Sequence, residues 1–83
     1  MNVLVAGGLG YIGSHTCLAL KQAGVTPIIY DNLSNASINV LEQLTLISDY
    51  KFTFIEGDIR DQQRLENVMA EYNIQAVFHF AAL

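Results

Sequence analysis

Apolar residues fall in short blocks along the chain, and the spacing inside and between the blocks changes with position. Val3, Leu4 and Val5 form an unbroken run, which predicts a buried strand over 2–6. Ile12, Cys17, Leu18 and Leu20 recur at helical spacing and predict a helix over 11–23 that Gly24 should stop. Pro27 to Tyr30 is a second strand, closing on Asp31. A polar loop over 32–37 follows, in which Asn35 or Ser37 offers a cap. Ile38, Leu41, Leu44 and Ile47 then predict a helix to about Ser48. Phe52 to Glu56 reads as a third strand, ended by Gly57. Leu65, Val68, Met69 and Tyr72 share one face of a helix over 61–72, with Asp61 as its N-cap. Ala76 to Phe80 is a fourth strand.

Strands alternating with helices imply parallel pairing and right-handed crossovers. The expected fold is therefore α/β, a Rossmann-type doubly wound parallel sheet with only the first four strands present. No repeat, low-complexity tract or linker divides residues 1–83. The segment His79-Phe80-Ala81-Ala82-Leu83 brings no charge, cap or further helix. Such sheets usually have five or six strands, so the chain reads as the N-terminal part of a larger domain, without a substrate-binding region.

Composition agrees with this. Of 83 residues 52% are hydrophobic and 14% charged, which suits strands buried on both faces. The net charge of −4 and the dispersal of Lys21, Lys51, Arg60 and Arg64 argue against nucleic acid or an anionic membrane as partner. The four basic residues read as solvated surface. The lone Cys17 has no disulfide partner and no metal-ligand cluster around it, and its helical apolar setting favours a packed hydrophobe over a reactive thiol. With no basic leader and no run of about 18 apolar residues, the expected location is cytoplasmic.

The candidate chemistry begins directly after the first strand, in Gly7-Gly8-Leu9-Gly10-Tyr11-Ile12-Gly13. Two glycine registers coincide there, Gly8-x-Gly10-x-x-Gly13 and Gly7-x-x-Gly10-x-x-Gly13. Glycine tolerates positive φ and lets backbone approach a bulky group, while the helix start attracts phosphate. Such a turn is also an ordinary way of joining a strand to a helix. Asp31 stands about 20 residues on, at the end of the second strand, where a carboxylate accepts ribose hydroxyls and repels a 2′-phosphate. No Lys or Arg lies in the loop after it, so the expected cofactor is NAD and not NADP. By itself Asp31 is equally a turn former before Asn32. Asp58, just past the third strand, either accepts from an adenine amino group or caps the helix near Asp61. His15 and His79 read as packed or solvated, and Tyr11 faces a diphosphate or packs.

Four segments carry a family resemblance: GGLGYIGSHT at 7–16, DNLSN at 31–35, EGDIRD at 56–61 and HFAAL at 79–83. Through them the whole chain resembles the extended short-chain dehydrogenase/reductase family. The first segment marks the family broadly, and the other three are more particular to its nucleotide-sugar 4-epimerases. The resemblance implies that Tyr11 and Ile12 meet the NAD diphosphate with their backbone N–H groups. It puts Asp31 on the ribose, Asn32, Leu33, Asn35 and Ala36 along the adenosine, Asp58 and Ile59 about the adenine, and Phe80, Ala81 and Ala82 beside the cofactor. Ala6, Ala36 and Ala82 depart from the family pattern, and the missing hydroxyl at Ala36 removes one cofactor hydrogen bond, at about 1 kcal/mol. The implied reaction is inversion at C4 of a UDP-hexose through a 4-keto sugar, in a homodimer. Its Ser and Tyr-x-x-x-Lys are missing, since neither Tyr50 nor Tyr72 has a Lys four residues on. No catalytic or metal-binding residue is expected in this chain, and alone it should be inactive. The alternatives are another nucleotide-sugar enzyme of the family such as a 4,6-dehydratase, a non-catalytic dinucleotide-binding module, and a structural domain with a vestigial glycine turn.

Overall fold

Seven elements alternate along the chain in a computed structural model that describes residues 1–7, 11–33 and 38–80. They are β1 (Asn2–Ala6), α1 (Tyr11–Gln22), β2 (Thr26–Asp31), α2 (Ile38–Ser48), β3 (Thr53–Glu56), α3 (Gln62–Glu71) and β4 (Ile74–His79). Gly8, Leu9, Gly10, the cap candidates Asn35 and Ser37, Ala36, Ala81, Ala82 and Leu83 lie outside the described residues. All strand pairs are parallel, in the order β3-β2-β1-β4. The doubly wound reading holds.

The sheet has apolar side chains on both faces. Val5 and Ile29 join Cys17, Leu44 and Phe52 in one cluster, against which Leu18, Leu20, Val40 and Leu41 pack. Leu4, Ile28 and Tyr30 join Val68 in the other, with Leu65 and Tyr72 beside them. Successive strand residues point to opposite faces, so α1 and α2 cover one side and α3 the other. Continuous apolar strands are what two covered faces require. Burial pushes the Cys17 thiol up to about 12, in keeping with a packed hydrophobe.

Each helix ends on a left-handed residue. Gly24 has φ 83°, and Val25 N–H donates to Leu20 O at 2.9 Å while Gly24 N–H donates to Lys21 O at 3.1 Å. This is the double hydrogen bond of a Schellman stop. Asp49 and Asn73, both at φ 52°, follow α2 and α3, using the tolerance of short polar side chains for this region. Asp61 caps α3, accepting from Arg64 N–H at 3.2 Å.

Two expectations need correction. Ile47 is 74% exposed and does not extend the buried stripe of α2, which rests on Val40, Leu41 and Leu44. The fourth strand starts at Ile74, two residues before the apolar block, and ends at His79. Its early start follows from Asn2, whose Nδ2 donates to Tyr72 O at 2.7 Å, and from a register shift between Asn2 and Val3 that admits Gln75. Phe80 lies just past the strand, and its N–H still donates to Ala6 O at 2.7 Å.

Candidate functional site

Parallel strands bring their carboxyl ends to one side of a sheet. Here those ends carry Gly7 after β1, Asp31 at the end of β2, Gly57 and Asp58 after β3, and Phe80 after β4. The chain steps outward from β1 to β2 and β3, then returns through α3 to β4 on the other side of β1. In open α/β sheets the ligand crevice opens at such a reversal.

At the β1 end, Gly7 has φ 79°, a backbone conformation that costs a side-chain-bearing residue strain. Its N–H donates to Tyr30 O at 2.8 Å, so the turn starts from a fixed point. Tyr11, Ile12 and Gly13 form the first turn of α1, where N–H groups have no partner within the helix. That turn holds no acidic residue to offset the positive end of the helix. Gly13 is buried, whereas the Ile12 side chain is 63% exposed.

At the β2 end the carboxylate of Asp31 is buried, and its Oδ1 accepts from Leu33 N–H at 2.7 Å. The turn-forming reading of Asp31 is thus observed. This bond fixes the carboxylate at the mouth of the crevice. Leu33 adopts φ 63° and packs its side chain against the cluster under α1 and α2, while Asn32 is exposed.

At the β3 end three contacts hold the backbone. Gly57 N–H donates to Asp31 O at 3.1 Å, and the Tyr30 hydroxyl donates to Asp58 O at 3.2 Å. Arg64, from α3, donates to Glu56 O through Nε at 3.0 Å and a terminal nitrogen at 2.8 Å. A side chain at Gly57 would run into the Tyr30 ring, with Cε1 only 2.6 Å from an added Cβ. The phenol of Tyr30 is pushed up, chiefly by burial, and stays a donor at neutral pH.

Asp58 is not the cap of α3, because Asp61 fills that place. Its carboxylate instead takes Arg60. Oδ1 accepts from Arg60 N–H at 2.9 Å and Nε at 3.0 Å, and Oδ2 accepts from Nη2 at 2.7 Å. Asn32 Nδ2 approaches Oδ2 at 3.5 Å from the neighbouring strand end. The Arg60 hydrogen bonds hold the Asp58 carboxyl far below the usual carboxylate range, and the guanidinium is pushed up in return. Ile59 turns its side chain into the cluster under α3.

The structure therefore gathers Gly7, Tyr11, Ile12, Gly13, Asp31, Asn32, Leu33, Asp58 and Phe80 at one end of the sheet. Gly10, Asn35, Ala36, Ala81 and Ala82 lie outside the described residues. Arg60 and Arg64 are exposed, as the surface reading expects, but both are also bonded into the β3 end. The alternation of Asp58, Arg60 and Asp61 in the sequence was the available signal for Arg60, whereas nothing local announces Tyr30 or Arg64. His79 and His15 are exposed, on β4 and α1. Among the described residues no cluster of metal-ligating side chains occurs, and no helix is long and apolar enough to cross a membrane.

Comparison with known proteins extends these observations over the whole chain. A UDP-glucose 4-epimerase of Neisseria meningitidis is 48% identical over 82 residues, 99% of this chain and 24% of the relative. A crystal structure of UDP-glucose 4-epimerase from Stenotrophomonas maltophila, with bound NAD and formylated UDP-arabinopyranose, superposes with a TM-score of 0.96. It is 48% identical and covers 100% of this chain and 25% of that one. A dTDP-glucose 4,6-dehydratase from Bacillus anthracis, in complex with NAD, superposes with a TM-score of 0.86 at 32% identity, over 100% of this chain and 27% of that one. The chain thus spans about a quarter of the length of these proteins. The nucleotide-sugar resemblance carried by the four segments holds, and a family model described as GDP-mannose 4,6 dehydratase matches residues 4–83; the chain belongs to that family.

Proposed function

We propose that residues 1–83 are the N-terminal, NAD-binding part of a UDP-glucose 4-epimerase, which interconverts UDP-glucose and UDP-galactose. The observation that carries the reading is 48% identity and a TM-score of 0.96 over the entire chain to an epimerase crystallised with NAD, against 32% identity to the dehydratase. NAD, when bound, supplies reversible hydride exchange at the hexose C4. No residue of this chain is assigned to proton transfer, so its part is to bind and orient the cofactor.

The order of chemical groups along the crevice fits that cofactor. The ends of β3, β2 and β1 lie side by side and offer in turn Asp58, Asp31 and the glycine turn. Base, ribose and diphosphate follow one another in the same order. In this reading the N–H groups of Tyr11 and Ile12 take the diphosphate, with Gly7, Gly10 and Gly13 giving it room. Asp31 takes the ribose hydroxyls from the end of β2. Asn32, Leu33, Asn35 and Ala36 flank the adenosine, and Asp58 and Ile59 meet the base. Phe80, Ala81 and Ala82 continue toward the nicotinamide half. The whole protein would then act on UDP-hexoses in the cytoplasm as a homodimer, in galactose metabolism, without a nucleic-acid or membrane partner.

A chimera tests the activity. Residues 1–83 replace the matching segment of the Stenotrophomonas enzyme, and UDP-galactose is supplied with NAD. Conversion to UDP-glucose is expected; a folded chimera without conversion, or one that yields a dehydrated sugar, refutes the assignment. Titration of NAD against the chain and its Asp31→Ala variant tests the ribose contact, which is lost as an argument if the two bind alike.

A further inference from the structure

An ionised carboxylate offers about four acceptor positions. On Asp58, Arg60 fills three of them with its backbone N–H, Nε and Nη2, at 2.7–3.0 Å. The fourth, on Oδ2, is met only by the exposed Asn32 amide at 3.5 Å, the outer limit of a hydrogen bond. An incoming donor displaces the long contact more readily than any of the short ones. The Arg60 side chain is 77% exposed, and its described polar contacts are those to Asp58, so its fork serves that carboxylate and not the core.

We propose that Arg60 is a positioning residue that turns Asp58 into a single-acceptor reader of the purine amino group. Held by the fork, Asp58 presents one usable lone pair, on the edge of Oδ2 facing the β2 end. A 6-amino purine donates into it. A 6-oxo purine turns an oxygen toward the same carboxylate and is rejected, because a buried or half-buried acceptor facing an acceptor goes unpaired. Without the fork only the backbone N–H of residue 60 still holds Oδ1, so the carboxylate turns about that bond and the acceptor positions left by Nε and Nη2 open to solvent or a ring N–H. This inference rests on the proposed placing of adenine beside Asp58.

The test compares NAD with its 6-oxo counterpart, nicotinamide hypoxanthine dinucleotide, by equilibrium titration of the full chain. One charge-assisted hydrogen bond corresponds to about a tenfold preference or more for NAD in the unaltered chain. Arg60→Ala should bring the ratio of the two dissociation constants to within about twofold of unity. Arg60→Lys, a point charge without the fork, should restore part of it. The ratio is the readout because loss of stability, or of one positive charge on the surface around an anionic ligand, weakens both ligands alike. Should Arg60→Ala lower both affinities and keep the ratio, Arg60 does not position Asp58. Equal binding of the two dinucleotides by the unaltered chain overturns the amino-group reading itself. Binding of neither removes the cofactor assignment on which it stands.

Discussion

Replacing Gly57 by Ala probes the join between fold and site. The backbone at Gly57 is not left-handed, so Ala adopts it without strain and the penalty is steric. The added methyl would lie 2.6 Å from Tyr30 Cε1, far inside ordinary contact distance. Tyr30 is fully buried, and Gly57 N–H is bonded to Asp31 O, so neither the ring nor the strand end can withdraw freely. Overpacking of this kind costs about 1–3 kcal/mol. If the ring turns away, its hydrogen bond to Asp58 O is lost as well, at about 1 kcal/mol. Against these stands at most about 0.8 kcal/mol from burying a methyl. The expected net loss is about 1–3 kcal/mol, a fall in Tm of roughly 5–20 °C for a domain of this size. Urea and thermal melts followed by circular dichroism measure it. In a Tyr30→Leu background the ring edge is gone, and the same Ala should cost less than about 1 kcal/mol. A Gly57→Ala melt within about 0.5 kcal/mol of the parent, or an equal cost in both backgrounds, refutes the clash.

Three further outcomes are expected. Cys17, held at about 12 against an ordinary 9.0, has a thiolate fraction about a thousandfold lower at pH 8, so native alkylation should be slower than in urea by about that factor; equal rates disprove the burial. Asp58 has its pKa lowered on folding, so its stabilising effect is full above the unfolded value of about 4 and fades only as pH falls toward the folded one. Carboxyl carbon NMR should therefore show no Asp58 inflection down to about pH 3 in the parent, and one shifted upward in Arg60→Ala, still below the unfolded value because the backbone N–H of residue 60 keeps its bond to Oδ1; coincident curves contradict the pairing. Asp61→Ala removes the cap of α3 and should cost about 1 kcal/mol in a urea melt, an effect absent if another residue caps the helix.

What the sequence made legible was local in origin. The helix stop at Gly24 and the cap at Asp61 each depend on one residue and its neighbours within five positions, and both appear where the turn chemistry puts them. Burial of Cys17 followed from periodicity. The left-handed stops at Asp49 and Asn73 were hidden because Asp and Asn also serve as caps, turn formers and surface residues. Ile47 misled because a periodic pattern cannot show how far the opposing surface extends. The early start of β4 depends on Asn2, seventy residues away from Tyr72 in sequence, and no window sees such a contact.

The segment EGDIRD shows why the site was harder to read than the fold. Asp61 reads as the N-cap of its helix, but for Asp58, three positions earlier, spacing alone left an adenine contact and a capping role even. Capping geometry decides between them, because the cap must accept from the N–H three residues on. With α3 starting at Gln62, only Asp61 meets that condition, through Arg64. Asp58 lies one turn too early and is released for another partner. That release is useful only because other groups fix the released residue. Glu56 O is held by Arg64, Asp58 O by Tyr30, and the Asp58 carboxylate by Arg60. Gly57 makes room for the ring that supplies the second of these bonds. Each residue from Glu56 to Asp61 except Ile59, which packs into the core, thus carries part of one arrangement that ends in a single oriented carboxylate edge. The contacts that complete it come from β2 and α3, and for that reason the arrangement became visible only in three dimensions.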